Sequence, residues 1–152
     1  MNRSIVRLRF AAAAAALLLA SCTSIFGPGD SESRDLAAAK VAWAAHRLDS
    51  YTLVVRPMCF CGSPLLRVTV VNGVVTSREF IGEAAPVPPS FFSEVESVDA
   101  MLSTLERAVE DASDVEAEYD TRGVPQHASI DWYANAIDDE FGWTVVELTP
   151  AP

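Results

Sequence analysis

The chain has 152 residues, half of them hydrophobic, which suits one globular domain with its own core. Its 21 acidic residues outnumber the 11 basic ones and give a formal net charge of −10. A surface of that sign repels the phosphate backbone of nucleic acids, so we expect no nucleic-acid partner; cations or basic partners fit better.

Residues 1–21 have the pattern of a bacterial lipoprotein signal peptide. Three arginines precede an apolar run at residues 10–20 that is too short to span about 30 Å of hydrocarbon. Small residues, Ala20 and Ser21, then lead to Cys22. We expect cleavage before Cys22 and a diacylglyceryl group on its sulfur, which would anchor the protein outside the cytoplasm on the bacterial cell membrane or envelope. An ordinary signal peptide or an uncleaved anchor are the alternatives.

The remaining residues carry their charge unevenly. Loss of residues 1–21 removes three basic residues and no acidic one, so the formal charge becomes −13. Residues 22–92 contain six acidic and six basic residues, whereas residues 93–152 contain fifteen acidic residues and only Arg107 and Arg122. The C-terminal half is therefore the acidic one, and solvated acids that keep an exported protein soluble are the simpler explanation.

Residues 22–33 mix Gly, Pro, Ser and acidic residues, and predict a flexible tether between lipid and domain. Ser33 can cap a helix over residues 34–48, and residues 51–56 then predict a strand. The residues predicted on the buried face of this helix are Ala37, Val41, Ala44, Ala45 and Leu48, with Leu36 and Trp43 at its border.

An Asn-Gly dipeptide separates β-rich runs at residues 65–71 and 74–81, which predicts a hairpin with a two-residue type I′ turn. With that turn, Arg67 faces Arg78 on the neighbouring strand. Since like charges directly across a ladder are unfavourable, we expect an acidic neighbour, for which the strand at residues 115–120 is the candidate.

Prolines in residues 82–93 predict a loop, after which Ser97 is placed to cap an amphipathic helix over residues 98–111. Further strands are predicted at residues 115–120, 126–132 and 143–149. The element order αβββαβββ predicts an α+β domain over residues 34–149, followed by a tail at 150–152. We expect an antiparallel sheet of about five to six strands packed by two helices, with two loosely similar halves.

Several short motifs occur along the chain in a fixed order. They are the lipoprotein cleavage site, Trp43, Tyr51, Cys59-x-Cys61, Val70-Val71-Asn72-Gly73-Val74-Val75, Tyr119-Asp120, Gly123-x-Pro125, Ile130-Asp131 and Asp138-Asp139-Glu140. Together they resemble the DUF6174 family of bacterial secreted or lipid-anchored proteins over about residues 43–148. Val124 stands where such proteins often carry an aromatic residue, a departure that we expect to affect surface packing. The resemblance supports the fold and the location, and implies no activity.

Cys59 and Cys61 are the only cysteines beyond the predicted lipid acceptor. In an extended strand their Cα atoms lie roughly 6.6 Å apart, near the upper limit for a disulfide, and flanking Pro and Gly residues can supply the necessary kink. Because extracytoplasmic compartments are oxidising, we expect a structural disulfide that fixes the turn between two strands. A redox-active disulfide or, with Met58, a soft Cu(I) site are the alternatives.

Carboxylates gather near the C-terminus, with Asp131 at the end of a strand and Asp138, Asp139 and Glu140 in the loop after it. Hard oxygen ligands of this kind bind divalent cations such as Ca²⁺. The spacing is not that of an EF-hand, however. A loop of solvated acids, or acids paired with arginines such as Arg122, is the simpler interpretation.

Catalytic patterns are lacking: there is no Gly-x-Ser-x-Gly and no Gly-rich phosphate loop, and His46 and His127 belong to no triad pattern. Phe91 and Phe92 form either part of the core or an exposed binding edge. The aromatic residues predicted mostly to fill the core are Trp43, Trp132, Tyr133, Phe141 and Trp143.

These observations predict a non-enzymatic, membrane-tethered extracytoplasmic domain without a cofactor. We expect it to bind a protein, peptide or envelope component through its acidic C-terminal half. The alternatives are a Ca²⁺-binding lipoprotein that uses the acidic loop and an envelope thiol-redox or soft-metal protein that uses the cysteine pair.

Overall fold

The computed structural model describes residues 28–59, 64–82, 86–88 and 91–151. The predicted signal peptide and Cys22 lie outside these residues. No helix in the described ranges has both the length and the apolar character needed to cross a membrane. The elements are α1 (Pro28–His46), β1 (Tyr51–Met58), β2 (Leu66–Val71), β3 (Val74–Phe80), a 3₁₀ helix (Ser93–Val95), α2 (Val98–Asp111), β4 (Asp114–Tyr119), β5 (Pro125–Asp131) and β6 (Phe141–Pro150).

The six strands form one antiparallel sheet in the order β3-β2-β1-β6-β5-β4, which confirms the predicted α+β class. Each half of the chain contributes a three-stranded meander, and the two meanders join where β1 pairs with β6. The first strand of the first half is central, whereas the first strand of the second half lies at an edge. The repeated element order therefore does not place equivalent strands in equivalent positions.

The core lies between the two helices and one face of the sheet. Fully buried side chains come from every layer; among them are Tyr51, Leu53, Leu66, Met101, Leu105, Ile130 and Trp143. Burying a side chain of this size contributes about 1.5–3 kcal/mol. On the opposite face, alternate strand residues such as Arg56, Arg67 and Ser129 are exposed, and no described helix covers them.

Helix α1 begins at Pro28, six residues before the predicted start at Arg34. Proline suits the first turn of a helix, where its missing N–H would have no intrahelical partner. Residues 28–33, assigned to the tether by composition, are therefore helical. Ser33 lies inside the helix and is not its N-cap.

The buried face of α1 also differs from the prediction. Leu36, Ala39 and Trp43 are buried, whereas Val41 is 72% exposed. In an alanine-rich helix small apolar residues occur on every side, so periodicity alone does not select a face. The bulky Leu36 and Trp43 pack inward because their burial removes the largest apolar area from water.

The β2–β3 hairpin has the predicted turn. Asn72 and Gly73 both have positive φ angles, of 52° and 76°. The backbone N–H of Gly73 donates to the carbonyl of Asp49 at 2.7 Å, so the tip of the hairpin lies against the α1–β1 connection.

The register of this hairpin corrects the expectation that Arg67 faces Arg78. A β-bulge between β2 and β3 places Glu79 opposite Arg67, and these two side chains form an ion pair at 2.5 Å. Arg78 instead pairs with Glu96 at 3.2 Å. The acidic neighbour therefore comes from the same hairpin, because an inserted residue shifts every later pair by one. The strand proposed for that role, β4, lies at the other edge of the sheet.

Helix α2 has the predicted bounds and cap. The hydroxyl of Ser97 accepts a hydrogen bond from the backbone N–H of Ala100 at 3.0 Å. In the first turn, the Asp99 carboxylate accepts hydrogen bonds from Trp43 Nε1 at 3.2 Å and from the guanidinium of Arg47 at 3.0 Å. This carboxylate thus joins the start of α2 to the end of α1.

Phe91 and Phe92 do not form an exposed binding edge. Phe92 is buried and Phe91 is half-buried. Their ring centroids lie 4.2 Å apart, and both meet the ring of Phe80 edge to face at 6.3 and 6.5 Å. The two residues close the core beside β3.

Candidate binding surface

The turn between β4 and β5 is organised by one carboxylate. Asp120 Oδ1 accepts hydrogen bonds from the backbone N–H groups of Arg122 and Val124, both at 2.9 Å. Asp120 Oδ2 accepts two more from the Arg122 guanidinium, at 3.0 and 2.8 Å. Gly123 has a φ of +83°, and a Cβ there would lie 2.0 Å from the carbonyl oxygen of Ala39. The turn therefore docks against α1 with no room for a side chain.

The next two residues continue this structural role. Val124 is fully buried in the core, so its departure from an aromatic residue affects core packing, and the expected effect on surface packing is wrong. The carbonyl of Pro125 accepts a hydrogen bond from Trp143 Nε1 at 3.1 Å. The Gly123-x-Pro125 motif thus holds the start of β5 in the core.

Trp43 and Tyr51 form a second structural junction. Their rings meet edge to face with centroids 6.2 Å apart. The Tyr51 hydroxyl accepts a hydrogen bond from the backbone N–H of Val98 at 3.1 Å, and burial raises the pKa of this phenol. The two residues tie α1, β1 and the start of α2 together.

The structure does not bring the four predicted metal ligands together into one group. Within the described ranges, no group of three His, Cys, Asp or Glu residues could hold a metal ion. Asp139 instead accepts a hydrogen bond through Oδ2 from the backbone N–H of Tyr133 at 2.7 Å. Asp138 has a φ of 75° and is exposed, as is Glu140, while Asp131 lies across from Asp114 at the end of β5. Asp139 therefore shapes the loop, while Asp138 and Glu140 face solvent.

Both basic residues of the acidic half are engaged elsewhere. Arg122 pairs with Asp120 in its own turn, which corrects the expectation that it pairs with the loop acids. The guanidinium carbon of Arg107 lies 6.0 Å from the ring centroid of Trp132. The carboxylates of the loop, Asp138 to Glu140, thus have no ion-pair partner among the described residues.

A cleft of about 410 Å³ lies between the start of α1, the end of α2 and β4. Its lining combines apolar side chains, including Val109, Ala112 and Val115, with three carboxylates, Glu32, Asp114 and Glu116. A second cleft, of about 590 Å³, continues along α1 and β4 toward Tyr119. Burial and the nearby carboxylates of α1 raise the pKa of the Tyr119 phenol, so it stays protonated.

Glu32 lies in the first cleft close to other carboxylates. Partial burial raises its pKa, as do the negative charges of Asp35, Glu116 and Asp114. A hydrogen bond from the backbone N–H of Ala117, on the edge strand β4, opposes this rise. A cation placed in the cleft would interact favourably with these charges.

The cysteine pair is only partly described. Cys59 packs half-buried against the core and its sulfur is in a disulfide. Cys61 lies outside the described residues, so the pairing of the two stays a prediction. The histidines lie on different elements: His127 contacts Thr144 Oγ1 at 3.2 Å on the sheet, and His46 is exposed on α1.

Two features of this surface were missed by sequence reasoning. Composition places Glu32 in the tether, and only Pro28, a residue that often starts helices, indicates that α1 begins before it. Tyr133 was assigned to the core with the other aromatic residues, yet it is 69% exposed. No local pattern marks Tyr133 as exposed, because its exposure depends on how the loop is held.

No curated protein matches this chain. The family DUF6174, a family of unknown function, matches residues 35–150, from within α1 to the end of β6. The matched region includes Trp43, Tyr51 and the β4–β5 turn, which are among the residues on which the resemblance was based. This chain therefore belongs to the DUF6174 family.

Proposed function

We propose that this protein is a lipid-anchored, extracytoplasmic binding domain without enzymatic activity. A lipid on Cys22 tethers the domain to the bacterial membrane or envelope. The acidic surface of the C-terminal half engages a basic protein, peptide or envelope component. A disulfide between Cys59 and Cys61 fixes the loop after β1.

The cleft at Glu32, Asp114 and Glu116 carries this proposal. Its apolar floor and acidic rim suit a lysine or arginine side chain, whose methylene stem packs on apolar surface while its charged end meets carboxylates. Its volume of about 410 Å³ lies within the range of ligand sites, roughly 300–1,000 Å³. Neither Arg107 nor Arg122 forms an ion pair with these acids.

A charge-matched pair of variants tests the binding surface. Asp114→Asn with Glu116→Gln removes two charges from the cleft, and Asp49→Asn with Glu147→Gln removes two exposed charges elsewhere. We expect wild type and the second variant to retain the same salt-sensitive basic partner from envelope extract, and the cleft variant to lose it. Equal loss in both variants, or no partner retained by wild type at low salt, would contradict the proposal.

The anchor is tested by mass spectrometry of protein purified from its native membrane. We expect an amino terminus at Cys22 that carries acyl chains. An intact Met1 terminus or an unmodified Cys22 sulfur would remove the anchor from the proposal.

The disulfide is tested by counting thiols before and after reduction. With Cys22 acylated, we expect no free thiol in the native protein and two after reduction. Two free thiols before reduction would contradict the structural disulfide and leave Cys59 and Cys61 available for redox or soft-metal chemistry.

A further inference from the structure

The tip of the β5–β6 loop is an uncharged, exposed segment, Tyr133-Ala134-Asn135-Ala136-Ile137. Tyr133 is 69% exposed and Ile137 is 86% exposed, the highest value among the exposed large hydrophobic residues of the described chain. All five residues are exposed. Two large apolar side chains on one short loop tip favour contact with another apolar phase.

This tip is held in place by hydrogen bonds. The backbone N–H of Tyr133 donates to Asp139 Oδ2 at 2.7 Å, and that of Ala136 donates to the Tyr133 carbonyl at 2.8 Å. The backbone N–H of Ala134 donates to Ser113 Oγ at 2.8 Å. Because these hydrogen bonds already hold the loop backbone, the backbone loses less conformational entropy when the tip contacts another surface.

The tip lies at the end of the sheet where the described chain begins. Ser113, which holds the tip through Ala134, lines the same cleft as Ser31 and Glu32 in the first turns of α1. The β2–β3 hairpin tip, by contrast, lies against the connection that follows the C-terminal end of α1. The start of α1 and the 133–137 tip therefore share one end of the molecule.

The chain geometry then limits the position of the lipid. Cys22 precedes Pro28 by six residues, and six residues span at most about 20 Å even when fully extended. A lipid on Cys22 therefore holds the membrane surface close to the end of the sheet that carries the 133–137 tip.

We propose that the 133–137 tip is a second membrane contact, seated in the interface of the bilayer that holds the lipid on Cys22. This inference rests on the lipid anchor of the proposed function. Tyrosine suits the lipid headgroup layer, where its ring is buried while its hydroxyl stays hydrated. Isoleucine suits the adjoining edge of the acyl-chain region. Because the anchor makes the contact intramolecular, even a weak interaction is populated.

The acids at the base of the tip set the lipid preference. Asp138 and Glu140 are exposed and negatively charged next to Ile137. Negative charges are repelled by anionic headgroups and tolerated by zwitterionic ones. The contact therefore weakens as the fraction of phosphatidylglycerol in the bilayer rises.

Tryptophan quenching by brominated lipid tests this contact. Full-length lipidated protein carrying Ile137→Trp is reconstituted in vesicles of dibrominated phosphatidylcholine, and Val74→Trp, on the hairpin tip at the other end of the sheet, is the matched control. Val74 is 62% exposed, so both positions accept the larger side chain. Because wild type already contains Trp43, Trp132 and Trp143, the quenching of wild type is subtracted from that of each variant. We expect the remaining quenching to be about twofold or more larger for position 137 than for position 74.

Flotation of the same vesicles distinguishes failure of the lipid anchor on Cys22 from failure of the membrane contact at the 133–137 tip. Flotation with stronger quenching at position 137 supports the membrane contact. If the protein floats and both tryptophans are quenched equally, the contact is wrong and the anchor stands. If the protein does not float, both the lipid anchor and the membrane contact are wrong. Shielding of position 137 from acrylamide by polylysine without lipid, together with equal quenching in vesicles, would assign the tip to a basic macromolecule instead.

Discussion

The β4–β5 turn and the β5–β6 loop lie at opposite ends of β5, and both contain carboxylates, yet they use them differently. In the turn, Asp120 accepts four hydrogen bonds and pairs with Arg122. In the loop, Asp139 accepts a single backbone hydrogen bond, and Asp138 and Glu140 are exposed. Similar acidic residues thus fasten the chain at one end of the strand and face solvent at the other.

The difference follows from what each connection packs against. The turn meets the backbone of α1 at Gly123, so its polar groups lose water and must be paired within the protein. In the loop, Asp138 and Glu140 are exposed, so these two charges keep their hydration, whereas Asp139 Oδ1 is buried and accepts no hydrogen bond from the described residues. We therefore expect substitutions in the turn to lower the stability of the fold, and substitutions in the loop to change interactions with other molecules.

The largest effect is expected from Gly123→Ala. A Cβ at this position would lie 2.0 Å from the Ala39 carbonyl oxygen, on a backbone with φ of +83°. We expect the free energy of unfolding to fall by about 3 kcal/mol or more in urea denaturation. Gly82→Ala is the control, because Gly82 has a φ of +86° but no atom of the described residues lies within 4 Å of the new Cβ. We expect this variant to lose only about 1 kcal/mol. Equal losses would show that docking against α1 is not what requires glycine.

The next effect compares two carboxylates directly. Asp120→Ala leaves the backbone N–H groups of Arg122 and Val124 unpaired and removes an ion pair, so we expect a loss of about 2–3 kcal/mol. Asp139→Ala removes one hydrogen bond together with a buried Oδ1 atom that has no partner among the described residues, so it should cost no more than about 1 kcal/mol. Chemical denaturation measures both, and a larger loss for Asp139→Ala would reverse the comparison.

Substitution of an apolar residue should also destabilise the protein more in the β4–β5 turn than in the β5–β6 loop. Val124 is fully buried, and Val124→Ala should cost about 2 kcal/mol through lost burial and the cavity that remains. Ile137→Ser in the exposed tip should change stability by no more than about 0.5 kcal/mol. Thermal unfolding of the two variants checks this; marked destabilisation by Ile137→Ser would mean that the tip supports the fold.

A smaller, pH-dependent effect is expected at Glu32, between α1 and β4. Because its pKa is raised above the ordinary value of 4.5, the folded state binds the proton more tightly than the unfolded state, and the ionised carboxylate destabilises the fold at neutral pH. Glu32→Gln keeps an acceptor for the Ala117 N–H and removes the charge. We expect this variant to be more stable than wild type at pH 7, by no more than about 0.5 kcal/mol.

The gain from Glu32→Gln should shrink as the pH falls through the folded-state pKa, and vanish below about 4.5, where both states of wild type are protonated. Urea denaturation across this pH range measures the difference. A gain that grows toward acid pH would contradict burial and neighbouring negative charge as the origin of the raised pKa.

The smallest expected effect concerns Ca²⁺. Because no group of three ligating side chains forms in the described ranges, millimolar Ca²⁺ should leave the Tm unchanged. A rise in Tm that Asp139→Ala abolishes would restore the loop as a Ca²⁺ site.

Sequence reasoning succeeded where the interactions are local. The bounds of α2 follow from its cap at Ser97 and its continuous apolar stripe, and the hairpin turn follows from Asn72-Gly73. These signals act within a few residues, so they do not depend on the rest of the fold. The resemblance to the DUF6174 family could also be recognised from the sequence, because its motifs are short segments that occur in a fixed order.

Sequence reasoning failed where a partner from elsewhere in the chain decides. The buried face of α1 is selected by the turn that carries Gly123 and by Asp99 of α2, neither of which is local to the helix. The β-bulge makes Glu79, and not the expected Arg78, the cross-strand partner of Arg67, and the alternating sequence pattern does not indicate this bulge. Val124 looked peripheral because its burial depends on where the turn docks.

By itself, the sequence determined the order and type of the elements, because periodicity, caps and turn dipeptides are properties of neighbouring residues. Only the tertiary structure decided which acids are paired and which are left facing solvent. Glu32 meets Glu116 because β4 ends up at the edge of the sheet beside α1. Strand pairing across the sheet and helix packing join segments that are distant in sequence. Their stabilising free energy arises only when those segments are in contact, so it cannot be inferred from any one segment alone.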